Sequence, residues 1–90
     1  MKNLDDIWQE YINQDFLSSH TLKGLVWHIE YDAYPVEAIT MATDMGLKQL
    51  GPYISKHLDH EDNYVRELSI GCLLDTLQLP EYAEKGFTMA

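Results

Sequence analysis

Hydrophobic residues recur along this chain at the spacing of amphipathic helices. One run places apolar residues at positions i, i+3, i+4 and i+7, namely Leu22, Leu25, Val26 and Ile29. Residues 4–12 repeat that spacing, and no segment alternates apolar and polar residues as a half-buried strand does. The pattern predicts an all-α chain with five helices and a tail, at residues 4–17, 20–31, 35–48, 52–59, 63–78 and 79–90.

Residues that begin helices stand at the expected breaks. Ser18 or Ser19 can cap the second helix, because a serine hydroxyl accepts a hydrogen bond from a free backbone N–H. Pro35 lacks an N–H and suits the first turn of the third helix. Asp62 or Asn63 can cap the fifth helix in the same way as the serines.

The chain also matches itself after a shift of 29 positions. The shift places His28 on His57 and Val36 on Val65, and apolar positions meet apolar positions in the helix that follows. Since a repeated helix pair cannot bury its apolar face alone, neighbouring pairs are expected to stack. The match predicts one domain over residues 1–90, with repeat units at 4–31, 35–59 and 63–78 and a tail at 79–90.

The start of the third unit carries a short motif. Asp62-x-x-Val65-Arg66 follows an acidic turn, and this run resembles the HEAT-type helical repeats. The resemblance implies a short right-handed α-solenoid of about two and a half helix pairs. It also implies structural roles for these three residues, with Arg66 bridging the turn at residues 59–62. The preceding unit departs from the motif, since Val36 matches but Glu37 stands in the place of the arginine.

The fifth helix has no partner helix in this arrangement. Its outer apolar residues, Leu73 and Leu77, therefore need cover. The tail is expected to provide that cover by folding back through Leu79, Tyr82 and Phe87. A second molecule is the alternative, so that the protein is expected to be a monomer or a weak homodimer.

Composition and charge narrow the classes of partner. The chain is 46% apolar and 23% charged, which is a globular mixture, and its net charge is −9 from six basic and fifteen acidic residues. So few Lys and Arg argue against binding to nucleic acid or to anionic membranes. No run approaches the ~18 apolar residues of a membrane helix, and the acidic start is unlike a signal peptide. A cytoplasmic location is expected.

Candidate catalytic and metal-binding residues are sparse. His28, His57 and His60 lie among carboxylates, but near helix ends a histidine is favoured by the helix dipole, and we expect these to be solvated. Deoxyhypusine hydroxylase, a HEAT-type enzyme, holds two irons with His–Glu pairs from several repeats, whereas this chain offers only His60–Glu61. Cys72 stands among apolar residues typical of a core. We expect no enzyme activity, no metal and no cofactor.

Aromatic residues and carboxylates together point to binding of a protein. Tyrosine and tryptophan often anchor interfaces, and carboxylates attract a basic partner. The predicted partner-binding residues lie near two turns: Trp27, Tyr31, Asp32, Tyr34, Asp59 and Glu61. For Trp27, packing against a neighbouring helix is an equal alternative.

The sequence thus predicts a non-enzymatic protein-protein interaction module with a basic protein partner. Its size and charge suit one specific form, a bacterial immunity protein that occludes a basic nuclease toxin. A self-associating scaffold subunit, joined through Leu73 and Leu77, is the alternative, and a metal-binding HEAT-like enzyme is less favoured.

Overall fold

A computed structural model describes residues 3–82 of the 90-residue chain. Within this range the chain forms five α-helices and no β-strand, so the predicted all-α class is confirmed. The helices are α1 (Leu4–Gln14), α2 (Ser19–Tyr31), α3 (Val36–Asp44), α4 (Gly51–Ile54) and α5 (Asn63–Gly71). Three short 3₁₀ turns accompany them, at Lys48–Leu50 and Ser55–His57 on either side of α4, and at Pro80–Tyr82.

Side-chain caps fix the starts of three helices, and at α1 the Asn3 side-chain oxygen accepts a hydrogen bond from the Asp6 N–H at 2.8 Å. The Ser18 hydroxyl accepts a hydrogen bond from the Thr21 N–H at 3.3 Å, so Ser18 caps α2. One Asp62 carboxylate oxygen accepts from the N–H groups of Tyr64 and Val65, at 2.8 and 3.2 Å. These bonds satisfy N–H groups that have no partner inside the helix. Ser18 and Asp62 are therefore the caps among the candidates at these two positions.

Four of the five helices end earlier than the apolar pattern predicts, among them α4, which ends at Ile54 rather than at 59 and passes into the 3₁₀ turn at Ser55–His57. Left-handed backbone conformations end two of the four. α1 stops at Gln14 because Asp15 adopts a left-handed backbone with a φ of 63°. α3 stops at Asp44, and Gly46 follows with a φ of 68°. The next N–H, that of Leu47, donates to the Ala42 carbonyl at 3.0 Å, which is the hydrogen bond of a glycine-terminated helix. The expected ends at 17 and 48 were therefore wrong.

The last helix changes its winding near its end. Beyond α5 the chain continues as a π-helix over Cys72–Thr76, and the Leu77 N–H donates to the Cys72 carbonyl at 2.8 Å. The helical segment therefore ends at Thr76, two residues before the expected end.

The core lies between layers of packed helices. α2 contacts α1, α3 and α4, while α3 contacts α1 and α5. The apolar stripes of α1 and α2 turn inward apart from Ile12, which is 55% exposed, and this packing removes the other side chains of the stripes from water. Fully buried apolar side chains come from every helix: Ile7, Leu25, Ile29, Ile39, Ile54, Val65, Leu73 and Leu77.

The segment after α5 covers the end of this core. Leu73 and Leu77 are both fully buried, and the Leu79 N–H donates to the Leu73 carbonyl at 2.8 Å. Leu79 and Tyr82 pack against the core cluster, as predicted. Phe87 lies outside the described residues. Because the two leucines are buried within the chain, neither side chain is exposed for the alternative of self-association through them.

Gly51, the first residue of α4, lies directly beneath this covering segment. A Cβ atom at this position would lie 2.7 Å from Leu79 Cδ1 and 3.4 Å from the Tyr82 ring. Real Cβ atoms do not approach a neighbour as closely as the first of these distances. A glycine here therefore permits the close packing of the covering segment on α4.

Candidate protein-binding surface

The turn between α2 and α3 lies beside the turn between α4 and α5. Two histidines connect them: His57 Nε2 lies 2.6 Å from the Ile29 carbonyl, and His60 Nε2 lies 3.3 Å from the Ala33 carbonyl. Both carbonyls stand at or just after the end of α2, where backbone oxygens lack partners within the helix. The two histidines therefore connect the end of α2 to the stretch between α4 and α5.

The expectation that His57 is solvated was wrong. Its side chain is 9% exposed, and its ring donates to a carbonyl of another helix. Helical periodicity marks the position as a helix end, but it does not show that α2 passes beside that end. The buried ring and its satisfied N–H explain the position without any ligand.

The hydrogen bonds of His60 indicate which tautomer its ring adopts. The Asp62 N–H donates to His60 Nδ1 at 3.0 Å, so Nδ1 carries no proton. Nε2 then carries the ring proton and donates it to the Ala33 carbonyl. One side chain therefore holds both its own turn and the neighbouring turn.

Arg66 bridges the same turn, as the motif implied, although not through carboxylates. One guanidinium N–H donates to the His60 carbonyl at 2.5 Å, and a second donates to the side-chain oxygen of Asn63. A charged donor forms a strong hydrogen bond to a carbonyl. Arg66 therefore ties α5 to the turn that precedes it.

Exposed tyrosines and carboxylates project along the joined turns. Tyr34 is 55% exposed, Asp59 and Glu61 are exposed, and Tyr64 in the first turn of α5 is 54% exposed. We call these four residues the turn edge. Tyr64 is absent from the predicted partner-binding residues. Its position could have been found from the helical spacing, because the buried Val65 beside it leaves position 64 outside the apolar stripe.

Trp27 and Tyr31 form an aromatic pair on the exposed face of α2. Their ring centroids lie 5.6 Å apart, and the side chains are 39% and 68% exposed. Lys56, from the 3₁₀ turn after α4, pairs with Glu30 at 2.8 Å and lies over the Tyr53 ring at 5.5 Å. The surroundings of the aromatic pair are therefore mixed in charge rather than acidic.

Two further charged groups near the turns are engaged within the chain. The hydrogen bond with Glu30, and then its negative charge, raise the pKa of Lys56. Asp32 is half-buried and pairs with the His28 ring at 3.0 Å. The structure thus brings Tyr34, Asp59 and Glu61 to one edge, whereas Asp32 is already held by a neighbour.

Metal-binding clusters and activated groups are what would mark a reactive site among the described residues. Across residues 3–82, no three His, Cys, Asp or Glu side chains come together to hold a metal ion. In the same part of the chain, no buried side-chain N or O atom lacks a hydrogen-bond partner. Cys72 is buried in the core, and burial raises the pKa of its thiol, which disfavours the reactive thiolate.

Comparison with known proteins identifies no relative. Protein-family models, curated proteins and solved structures all gave no significant match to this chain. None of the helices described above is long and apolar enough to cross a membrane.

Proposed function

We propose that this chain is a non-enzymatic protein-binding module and that it binds a basic protein partner through the turn edge. The observation that carries the proposal is the bond between His60 and the Ala33 carbonyl, which holds the two turns side by side. Exposed tyrosines on both turns can anchor a partner with little loss of side-chain entropy. Asp59 and Glu61 between them attract positive charge.

A HEAT-like stack of helix pairs would explain this arrangement. The contacts of α1 with α3, of α3 with α5, and of α2 with α4 support such a stack, because equivalent helices of successive pairs lie side by side in a solenoid. The internal match after 29 positions supports it as well. In a right-handed solenoid of this kind, turns of successive units form one continuous edge.

The net charge of −9 suits rapid capture of a basic protein. Long-range attraction raises association rates, and it weakens as salt screens the charges. An immunity protein that must occlude a basic toxin made in the same cell is the specific form that we favour. The free protein in this proposal is a monomer in the cytoplasm.

The test is affinity capture with matched variants of the tagged protein. We expect Tyr34→Ala and Tyr64→Ala each to weaken capture of a basic partner about fivefold or more, without a change in the urea unfolding midpoint. Phe16→Ala is the control, since Phe16 is 59% exposed but precedes the start of α2, at the far end from Tyr34. Tyr31→Ala reports whether the interface extends onto the aromatic pair.

Two outcomes would reject the proposal. Equal capture by wild type, Tyr34→Ala and Tyr64→Ala would show that the partner binds elsewhere on the protein. Stoichiometric transition metal in the purified protein would instead favour the metal-binding alternative.

A further inference from the structure

A groove between α1 and α3 adjoins the turn edge. Its α1 side is formed by Leu4, Asp5 and Trp8, and its α3 side by residues one and two turns apart, Glu37, Met41 and Asp44. Glu37 lies in the first turn of α3, directly after the turn that contains Tyr34. A partner seated on the turn edge is thus next to the mouth of this groove.

The floor of the groove is apolar. Leu4, Trp8 and Met41 line it, and the Trp8 ring is supported by Tyr11 at a centroid distance of 5.8 Å. The cavity volume is about 220 Å³, larger than the ~150 Å³ cavity that accepts a benzene molecule. One large apolar side chain therefore fits, and the flexible Met41 can adapt to its shape.

The rim of the groove is acidic. Among residues 3–82, the charged residues that line it are Asp5, Glu37 and Asp44, and all of these are carboxylates. Within residues 3–82, no Lys or Arg forms an ion pair with any of the three. The described lysines instead lie on α2 and beside α4, at Lys23, Lys48 and Lys56. The three carboxylates of the rim therefore carry negative charge that no described Lys or Arg side chain pairs with.

We propose that this groove binds a Lys/Arg-rich segment of the protein partner and holds one large apolar side chain of that segment on its floor. The proposal rests on the proposed function in that the partner is a basic protein, and it adds a second contact with a defined chemistry. A second copy of this chain does not fit the groove, because its net charge of −9 would oppose the rim.

The test uses an amidated peptide KKFKKLKK and the fluorescence of Trp8. The protein has two tryptophans, so a Trp27→Phe background leaves Trp8 as the reporter. We expect a saturable change in fluorescence that weakens as salt is raised. Peptides KKAKKAKK and EEFEELEE should bind far more weakly, since the first lacks the apolar anchors and the second reverses the charge.

Paired variants locate the peptide. Glu37→Gln combined with Asp44→Asn should weaken peptide binding about fivefold to tenfold, because each carboxylate contributes modestly in a partly solvated site. Asp15→Asn combined with Asp75→Asn removes the same charge at exposed positions outside the groove. This control should leave binding within about twofold of wild type, and circular dichroism should confirm that both variants are folded.

The possible failures are separable. Equal weakening by the two double variants, or equal binding of KKAKKAKK, would overturn the groove proposal in favour of attraction by net charge alone. If the natural partner binds the groove variant as strongly as wild type but no longer binds Tyr34→Ala, the groove proposal fails and the turn-edge proposal stands. If only the groove variant lost binding and Tyr34→Ala kept it, the groove proposal would stand and the turn-edge proposal would fail.

Discussion

The hydrogen bond between His57 and Ile29 can be tested by replacing the histidine with phenylalanine. His57→Phe keeps a planar ring in the buried site but removes the N–H that lies 2.6 Å from the Ile29 carbonyl. A neutral hydrogen bond contributes about 0.5–1.5 kcal/mol, and a buried carbonyl left without a donor costs about 1–3 kcal/mol. Since the phenylalanine ring retains most of the apolar packing, we expect a net loss of about 1–2 kcal/mol.

Urea unfolding followed by circular dichroism measures this loss. The midpoint should fall with an unchanged m-value, and the thermal midpoint should drop by about 4–8 °C per kcal/mol for a domain of this size. His20→Phe is the matched control, because His20 is exposed on α2. His57→Gln should recover part of the loss, since its amide can donate. If His57→Phe unfolded at the same midpoint as wild type, the bond between the two helix ends would contribute nothing to stability.

Two further predictions concern Arg66 and Cys72. Arg66→Ala should lower stability by about 1–2 kcal/mol in urea unfolding, because the His60 carbonyl and Asn63 lose a charged donor, and Arg66→Lys should recover only part of that loss. Burial raises the pKa of the Cys72 thiol above its ordinary 9.0 in the folded protein, so the stability linked to this group is complete below that value and is lost as pH rises through the folded pKa. Wild type should therefore lose more stability than Cys72→Ala as the pH rises past 9.0, and an unchanged difference between them would contradict this linkage.

Helical spacing was enough to predict the class of fold and the existence of each helix. It could not predict where α1 and α3 end, because Asp15 and Gly46 stop them through left-handed backbone conformations rather than through a change in the apolar pattern. Gly46 did carry a signal, since glycine is the usual residue just after a helix. The close packing at the buried Gly51 had no signal in the local sequence, because Leu79, the residue that packs against it, lies 28 positions further along the chain.

The exposed tyrosines of the candidate site were partly predictable as well. Tyr34 and Tyr31 fall outside the apolar stripes, and both are exposed. The joining of the two turns was not predictable, because the bond from His60 to Ala33 spans 27 residues. Periodicity shows which side of a helix is buried, but it does not show which helix ends meet.

His28 and His57 occupy equivalent positions in the internal match, yet they bind different groups. After His28 the helix continues to Tyr31, so Asp32 lies one turn further on and pairs with the ring. The helical segment that contains His57 ends at that residue, so Glu61 is not held one turn away. The His57 ring is then free to reach the Ile29 carbonyl of the neighbouring helix. The length of the helix beyond each histidine, rather than the identity of the residue, decides whether the ring pairs locally or joins two turns into one surface.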